Sequence, residues 1–278
     1  MDSLLYCSEK AAPFGSAQYY VLLWQAPTLR AQMLVVLALR QELLDIPARV
    51  SDGQLALTKL NWWREEISRA ARGVAQHPVS VALQPLLANV TLTAAELASM
   101  CDAIELLLQT GRLVDETSLE AYCQHIGALP WQLTARLAVP TSAEGQSYAG
   151  KIGAGLQLLE MLQHLVAEAQ RGVIFAPASM LERHALPVEQ LAKAVADERF
   201  IALAGDMLAR SRECFAEARQ SLSGRVPAAL RYLTAAMAMG EATMAELERA
   251  GLASLATQRL SLTPVRKLLI AWKCRWFA

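Results

Sequence analysis

The sequence lacks most of the features that mark specialised protein classes. Its five cysteines (Cys7, Cys101, Cys123, Cys214 and Cys274) are odd in number, scattered and form no CxxC. That leaves a zinc site without a ligand pattern and predicts free thiols in a reducing compartment. Net charge is absent too, because 26 Lys and Arg are balanced by 26 Asp and Glu. Without a positive excess, no nucleic-acid partner is expected. The longest apolar run, MLVVLAL at 33–39, falls far short of the ~20 residues a membrane span needs. The opening MDSLLYCSEK has neither the basic n-region nor the apolar core of a secretory signal. The expectation is a soluble, cytoplasmic protein, with peripheral contact at a membrane left open. No P-loop, dinucleotide fingerprint or Ser-His-Asp order is present.

Glycine (14) and proline (11) are also sparse, while 54% of the 278 residues are hydrophobic. Few breakers and abundant apolar material favour one large core. Apolar residues recur at helical spacing, and no segment alternates as a strand would. AQMLVVLALRQELLDI (31–46) reads as a helix that follows Pro27 and ends near Pro47. Residues 52–72, around LALTKLNWWREEISRA, form a second helix that closes before Gly73 and Pro78. Thr93 and Glu96 make a capping box that opens a third. SLEAYCQHIGALPWQLTARLA gives another, strained around Pro130, and SYAGKIGAGLQLLEMLQHLVAEAQ a long one. PASMLERHALP, from Pro177, reads as loop and turn before two long helices at about 190–220 and 226–249. TPVRKLLIAWKCRWFA begins with Pro264 at a first helical turn. The expected fold is all-α, a single domain over 1–278 built as a helical bundle of roughly eight to ten helices. Within it, 1–16 is expected as a loose N-terminal arm and 262–278 as a terminal amphipathic helix.

Seven stretches follow one another in order between about 17 and 186. They are AQYYVLLW (17–24) with its turn at Pro27 and Arg30, LALRQELLDI, LNWWREEI (60–67), His77-Pro78, EAYCQHIGA, GAGLQLLEML, and Arg171-Gly172 running through IFAP to Pro177. Together they resemble the squalene/phytoene synthase family, the head-to-head prenyl transferases. The resemblance implies an isoprenoid-synthase-type bundle around a central cavity and an allylic diphosphate as substrate. It also implies Mg²⁺ held between two aspartate-bearing helices, where carboxylate oxygens and the metal neutralise the leaving group.

The aspartates are where this sequence departs. The family's first cluster reads like DDxxD, and the match here is Leu44-Asp45-Ile46-Pro47-Ala48. Leu44 and Ala48 take the outer positions, only Asp45 remains, and Pro47 is expected to break the helix there. Counting back from Arg171-Gly172 places the second pair on His164 and Glu168, with Glu160 one turn earlier. These three form an i, i+4, i+8 row on one broad helix face. Histidine suits Zn²⁺ better than Mg²⁺. The row therefore reads as a polar wall inherited from an enzyme, as a residual site for a diphosphate or polar head group, or as a transition-metal site. No catalytic residue is assigned, and no cofactor or metal is expected. Mg²⁺ enters only if the chain is an active enzyme, with Asp45, His164 and Glu168 as weak candidate ligands.

By the same resemblance Tyr19, Arg40, Tyr122, Gln157, Glu160 and Arg171 would bind substrate. Tyr122 faces the cavity or packs in the core, and Arg171 holds a phosphate or, as favoured here, caps its helix by charge. Trp131 stands where the family's paired glycines are altered, and is either bulk in the ligand path or a core residue. Trp62 and Trp63, beside Arg64, Glu65 and Glu66, read as packing with a charged face rather than as ligand contacts. In the C-terminal segment Arg266, Lys267, Lys273 and Arg275 alternate with Leu268, Leu269, Trp272, Trp276 and Phe277. That pattern suits a membrane surface or a protein partner, or a helix folded back onto the bundle. Three functions follow. The favoured one is a non-catalytic assembly or binding protein, resembling the family's degenerate branch that includes a complex I assembly factor. The others are an active prenyl transferase with a reduced metal set and a protein that binds an isoprenoid or other lipid in the central cavity without reaction.

Overall fold

The structure is a computed structural model that describes residues 2–50, 52–89 and 91–277. Among these residues the chain is helical throughout and forms no named strand. The helices are α1 (Ser3–Ala11), α2 (Ala17–Val21), α3 (Pro27–Arg49), α4 (Gly53–Ala71), α5 (Pro78–Ala88), α6 (Ala94–Thr110) and α7 (Glu116–Tyr122). They continue as α8 (Leu129–Ala138), α9 (Ala143–Ala169), α10 (Ala178–Arg183), α11 (Val188–Ala192), α12 (Glu198–Gln220), α13 (Arg231–Ala250) and α14 (Pro264–Phe277). This is the expected all-α bundle, and five short helices (α1, α2, α5, α10 and α11) raise the number above eight to ten. No helix among the described residues is long and apolar enough to cross a membrane.

Two helices form the centre. In α3 every residue from Met33 to Leu39 is buried, and α9 buries residues around its whole circumference. A helix apolar on all sides can only sit inside a layer of other helices. α9 accordingly packs against α8, α12 and the turn that precedes α8.

Several local expectations change. Of the arm expected over 1–16, the described residues 2–16 are not loose, because Asp2 caps α1, whose Cys7 is wholly buried against the bundle. PASMLERHALP contains α10, and the helix expected at 190–220 is two, separated before the Asp197 cap of α12. α3 does not stop at Pro47 but runs to Arg49, with Val50 N–H donating to Ile46 O at 3.0 Å. Proline in a last turn costs only its own missing donor, so the turn closes around it.

The strain expected around Pro130 is a π-helical stretch, Cys123–Ala128, that joins α7 to α8. Pro130 has no amide hydrogen to give the Ile126 carbonyl four residues earlier. That carbonyl instead accepts Arg40 Nε at 2.8 Å. The same stretch lies against α9, where a Cβ on Gly127 would stand 2.7 Å from Gln157 Cβ and 2.9 Å from Gly153 O. Only glycine permits that approach, and it draws the Ile126 carbonyl and Gln157 toward one guanidinium.

Candidate functional site

α3 and α9 face each other across a polar chamber of about 540 Å³. α3 presents Gln41, Leu44, Asp45 and Ala48, one helix face by spacing, and α9 answers with Gln157, Glu160, Met161, His164 and Glu168. Tyr122 and Phe175 also line it, with ring centroids 5.9 Å apart. The Tyr122 hydroxyl is buried and has no hydrogen-bond partner, and burial raises its pKa. A second chamber of about 430 Å³ adjoins the first; Val21, Leu37, Trp131, Leu156, Leu159, Ala236, Met239 and Leu262 form its apolar wall, and Arg40, Gln163, Thr243 and Lys267 stand on its polar side. Ser16, Gln18, Gln41, Glu160 and Arg259 border both chambers. The arrangement can accept an amphiphile, polar end between α3 and α9 and hydrocarbon along the apolar wall of the second chamber.

Charge in the polar chamber is arranged in three groups. Arg40 is buried between the helices, donating to Ile126 O at 2.8 Å, Gln157 Oε1 at 2.6 Å and Glu160 Oε2 at 2.6 Å. Burial would push the Glu160 carboxyl up, but Arg40, His164 and Arg259 outweigh it and hold the pKa below the usual value. The second group surrounds Asp45, whose Oδ2 takes Lys10 Nζ at 2.8 Å and Arg49 at 3.0 Å while Oδ1 takes Gln41 Nε2 at 3.0 Å. Lys10 also pairs with Glu42 at 2.9 Å, and Tyr6 donates to Glu42 at 2.6 Å. The third is Glu168, which accepts Arg171 Nη1 at 3.0 Å. Its pKa is raised, burial outweighing Arg171. His164 has a lowered pKa, from burial first and then from Arg259 and Arg171, which together outweigh Glu160.

A model of squalene/phytoene synthases matches residues 13–266. The chain belongs to the squalene/phytoene synthase family. A presqualene diphosphate synthase from Rhodopseudomonas palustris is 23% identical over 163 residues, which span 58% of this chain and 58% of that protein. One from Sinorhizobium fredii is 20% identical over 226 residues, 80% of each chain. Among solved structures, a squalene synthase from Alicyclobacillus acidocaldarius superposes with a TM-score of 0.75 at 21% identity, covering 90% of this chain and 94% of that one. A dehydrosqualene synthase in complex with ligand gives a TM-score of 0.83 at 15% identity, covering 98% and 95%. At these identities the structural likeness shows the fold alone.

The squalene/phytoene synthase fold brings Asp45, His164 and Glu168 to one chamber, as the motif spacing implied. Their chemistry does not fit a magnesium cluster. The positions one residue before and three after Asp45 are Leu44 and Ala48, both oxygens of Asp45 are bonded, and Glu168 and Glu160 are tied to arginines. No group of three or more His, Cys, Asp or Glu among the described residues is placed to hold a metal ion.

The expected substrate-binding residues divide. Tyr122, Gln157 and Glu160 line the polar chamber, and Arg40 lines the second. Tyr19 lines neither; it packs on Phe14 and Tyr20, with the Arg30 guanidinium 5.5 Å from its ring centre. Arg171 lies outside both as well, just past the end of α9, where its side chain bonds Glu168 Oε1 of that helix at 3.0 Å and Ala48 O of α3 at 3.3 Å. Trp131 is buried yet lines the apolar chamber without filling it. LNWWREEI is structural: Glu66 is fully buried and accepts the amides of Gln76 and His77 at 2.6 Å each, and His77 packs on Trp63. Lys10 and Arg259 are chamber residues that the motifs did not indicate. Lys10 lies 35 positions from its partner Asp45, and Arg259 lies in a loop, so no periodic signal marks either.

Proposed function

We propose that this chain is a non-catalytic squalene/phytoene synthase homologue that binds an isoprenoid-type ligand and acts as a binding or assembly protein. The polar end of the ligand occupies the chamber between α3 and α9, and its hydrocarbon chain the apolar chamber beside Trp131. One observation carries the non-catalytic reading: Asp45, the one aspartate left in the first cluster, is paired with Lys10 of α1 as an internal counter-ion. With Leu44 and Ala48 on either side of Asp45, the α3 wall offers a single carboxylate, already ion-paired, to the divalent cations that neutralise a departing diphosphate. The 430 Å³ apolar chamber supports the ligand half of the reading, since it stays open between packed helices. The unpartnered Tyr122 hydroxyl offers a donor to the polar end. A further surface, on α14, is available to a membrane or a protein partner.

The second reading is an active prenyl transferase using Asp45, His164 and Glu168. It is favoured by the relatives named presqualene diphosphate synthase and opposed by the ion pairs that already engage Asp45 and Glu168. Incubation with farnesyl and geranylgeranyl diphosphates, with Mg²⁺ or Mn²⁺ and product detection by mass spectrometry, separates the two. The proposal expects no coupled product. Turnover that disappears in Asp45→Ala or Glu168→Ala would overturn it.

A further inference from the structure

Helix α14 presents an exposed apolar stripe. Val265, Leu268, Leu269, Trp272 and Trp276 are 67%, 39%, 58%, 47% and 57% exposed. At roughly 100° of rotation per residue their spacing confines them to one arc of about 100°. The opposite side of the helix packs on the bundle through Ile270, Ala271 and Cys274. Folding back and presenting an apolar face are therefore both true of this helix. Lys267, on the packed side, donates to Gly15 O at 2.9 Å, and the neighbouring Phe14 is 84% exposed.

Charge says what covers the stripe. Pro264–Phe277 contains Arg266, Lys267, Lys273 and Arg275 and no acidic residue. Lys273 and Arg275 flank the stripe on its two sides by helical position, and the Arg275 guanidinium lies 5.3 Å from the Trp276 ring centre. Tryptophan with basic residues on either edge matches the boundary between acyl chains and anionic head groups, where long basic side chains reach outward to phosphate. The location has a consequence for the chamber. Ser16, Leu260, Leu262 and Lys267 line the apolar chamber, so it is framed by the two segments that carry Phe14 and Val265.

We propose that the exposed stripe of α14, with Phe14, docks on the surface of an anionic lipid bilayer and sets the apolar chamber against it. This goes beyond the ligand reading and stands whether or not the chamber holds an isoprenoid, because the test uses vesicles alone. The full chain is floated with phosphatidylcholine vesicles, with and without phosphatidylglycerol. Binding is expected to the anionic vesicles, with a blue shift of tryptophan emission, and to weaken as salt screens the basic residues. Leu269→Glu with Trp276→Glu is expected to cut binding roughly tenfold or more while circular dichroism and Tm are unchanged, since both side chains are exposed. Lys273→Glu with Arg275→Glu, which leaves the apolar stripe intact, is expected to abolish the preference for anionic vesicles. Failure of the wild-type chain to float with either vesicle overturns the proposal, as does undiminished binding by both double variants. A dimer that the Leu269→Glu, Trp276→Glu variant dissolves, in a chain that ignores vesicles, would assign the stripe to a second copy and overturn it equally.

Discussion

Arg40 is the side chain on which the two central helices agree. It has three acceptors, and losing it leaves Glu160 and the Ile126 carbonyl without their donor. Arg40→Ala is expected to cost about 2–3 kcal/mol at neutral pH, less than a fully buried pair because Glu160 is partly solvated. Arg40→Lys restores little of this, since an ammonium cannot span the acceptors of a guanidinium fork. The cost depends on pH. Glu160 has a depressed folded pKa, so its contribution is present above the ordinary value of 4.5 and is lost as pH falls through the folded one. Urea denaturation across that range should show the penalty of Arg40→Ala shrinking with acidification. Glu168 has the opposite sign. Its folded pKa is raised above 4.5, so its contribution is intact below that value and is lost as pH rises through the folded pKa. Glu168→Gln is therefore expected to raise Tm at pH 7 and to match the wild type near pH 4. A variant equally stabilised at both would show that burial of charge is not the cause.

At the scale of elements, the π stretch and α1 build the chamber. Gly127→Ala places a Cβ 2.7 Å from Gln157 Cβ and 2.9 Å from backbone, and overpacking of this kind costs about 1–3 kcal/mol. The expected readout is a lowered Tm with chamber binding weakened further, because Gln157 is displaced from Arg40. α1 contributes Lys10, whose removal takes a cation from both Glu42 and Asp45, the latter on the chamber wall. Millimolar Mg²⁺ is expected to leave the wild-type Tm unchanged and to raise that of Lys10→Ala, since a ligand stabilises only the state that binds it. A clear rise in the wild type would restore a metal site. The long helices were legible because α3 and α9 repeat apolar residues over many turns, and Thr93 and Glu96 make their capping box as read. α1 was not, because its nine residues bury little beyond Cys7 and Ala11 and gain their order from α3. The second aspartate position was legible as a count from Arg171-Gly172. What neutralises the first was not, since the Lys10–Asp45 contact is made in three dimensions only.

For the molecule as a whole, the proposed reading is an interior of two adjoining chambers that takes its ligand without a metal. The apolar chamber can be filled from within. Thr243→Phe, on the chamber wall and partly exposed, is expected to abolish the thermal shift produced by a farnesyl diphosphate analogue. At a hundredfold excess over Kd that shift corresponds to about 2.7 kcal/mol in the unfilled chain. A retained shift in Thr243→Phe would place the ligand elsewhere. The most direct measurement is calorimetric titration of the full chain with a non-ionisable farnesyl diphosphate analogue, once in EDTA and once in Mg²⁺. Saturable binding with the same affinity in both is the predicted result. Binding that appears only with Mg²⁺, or strengthens at least tenfold with it, would contradict a metal-free site and return the chain to the catalytic members of its family.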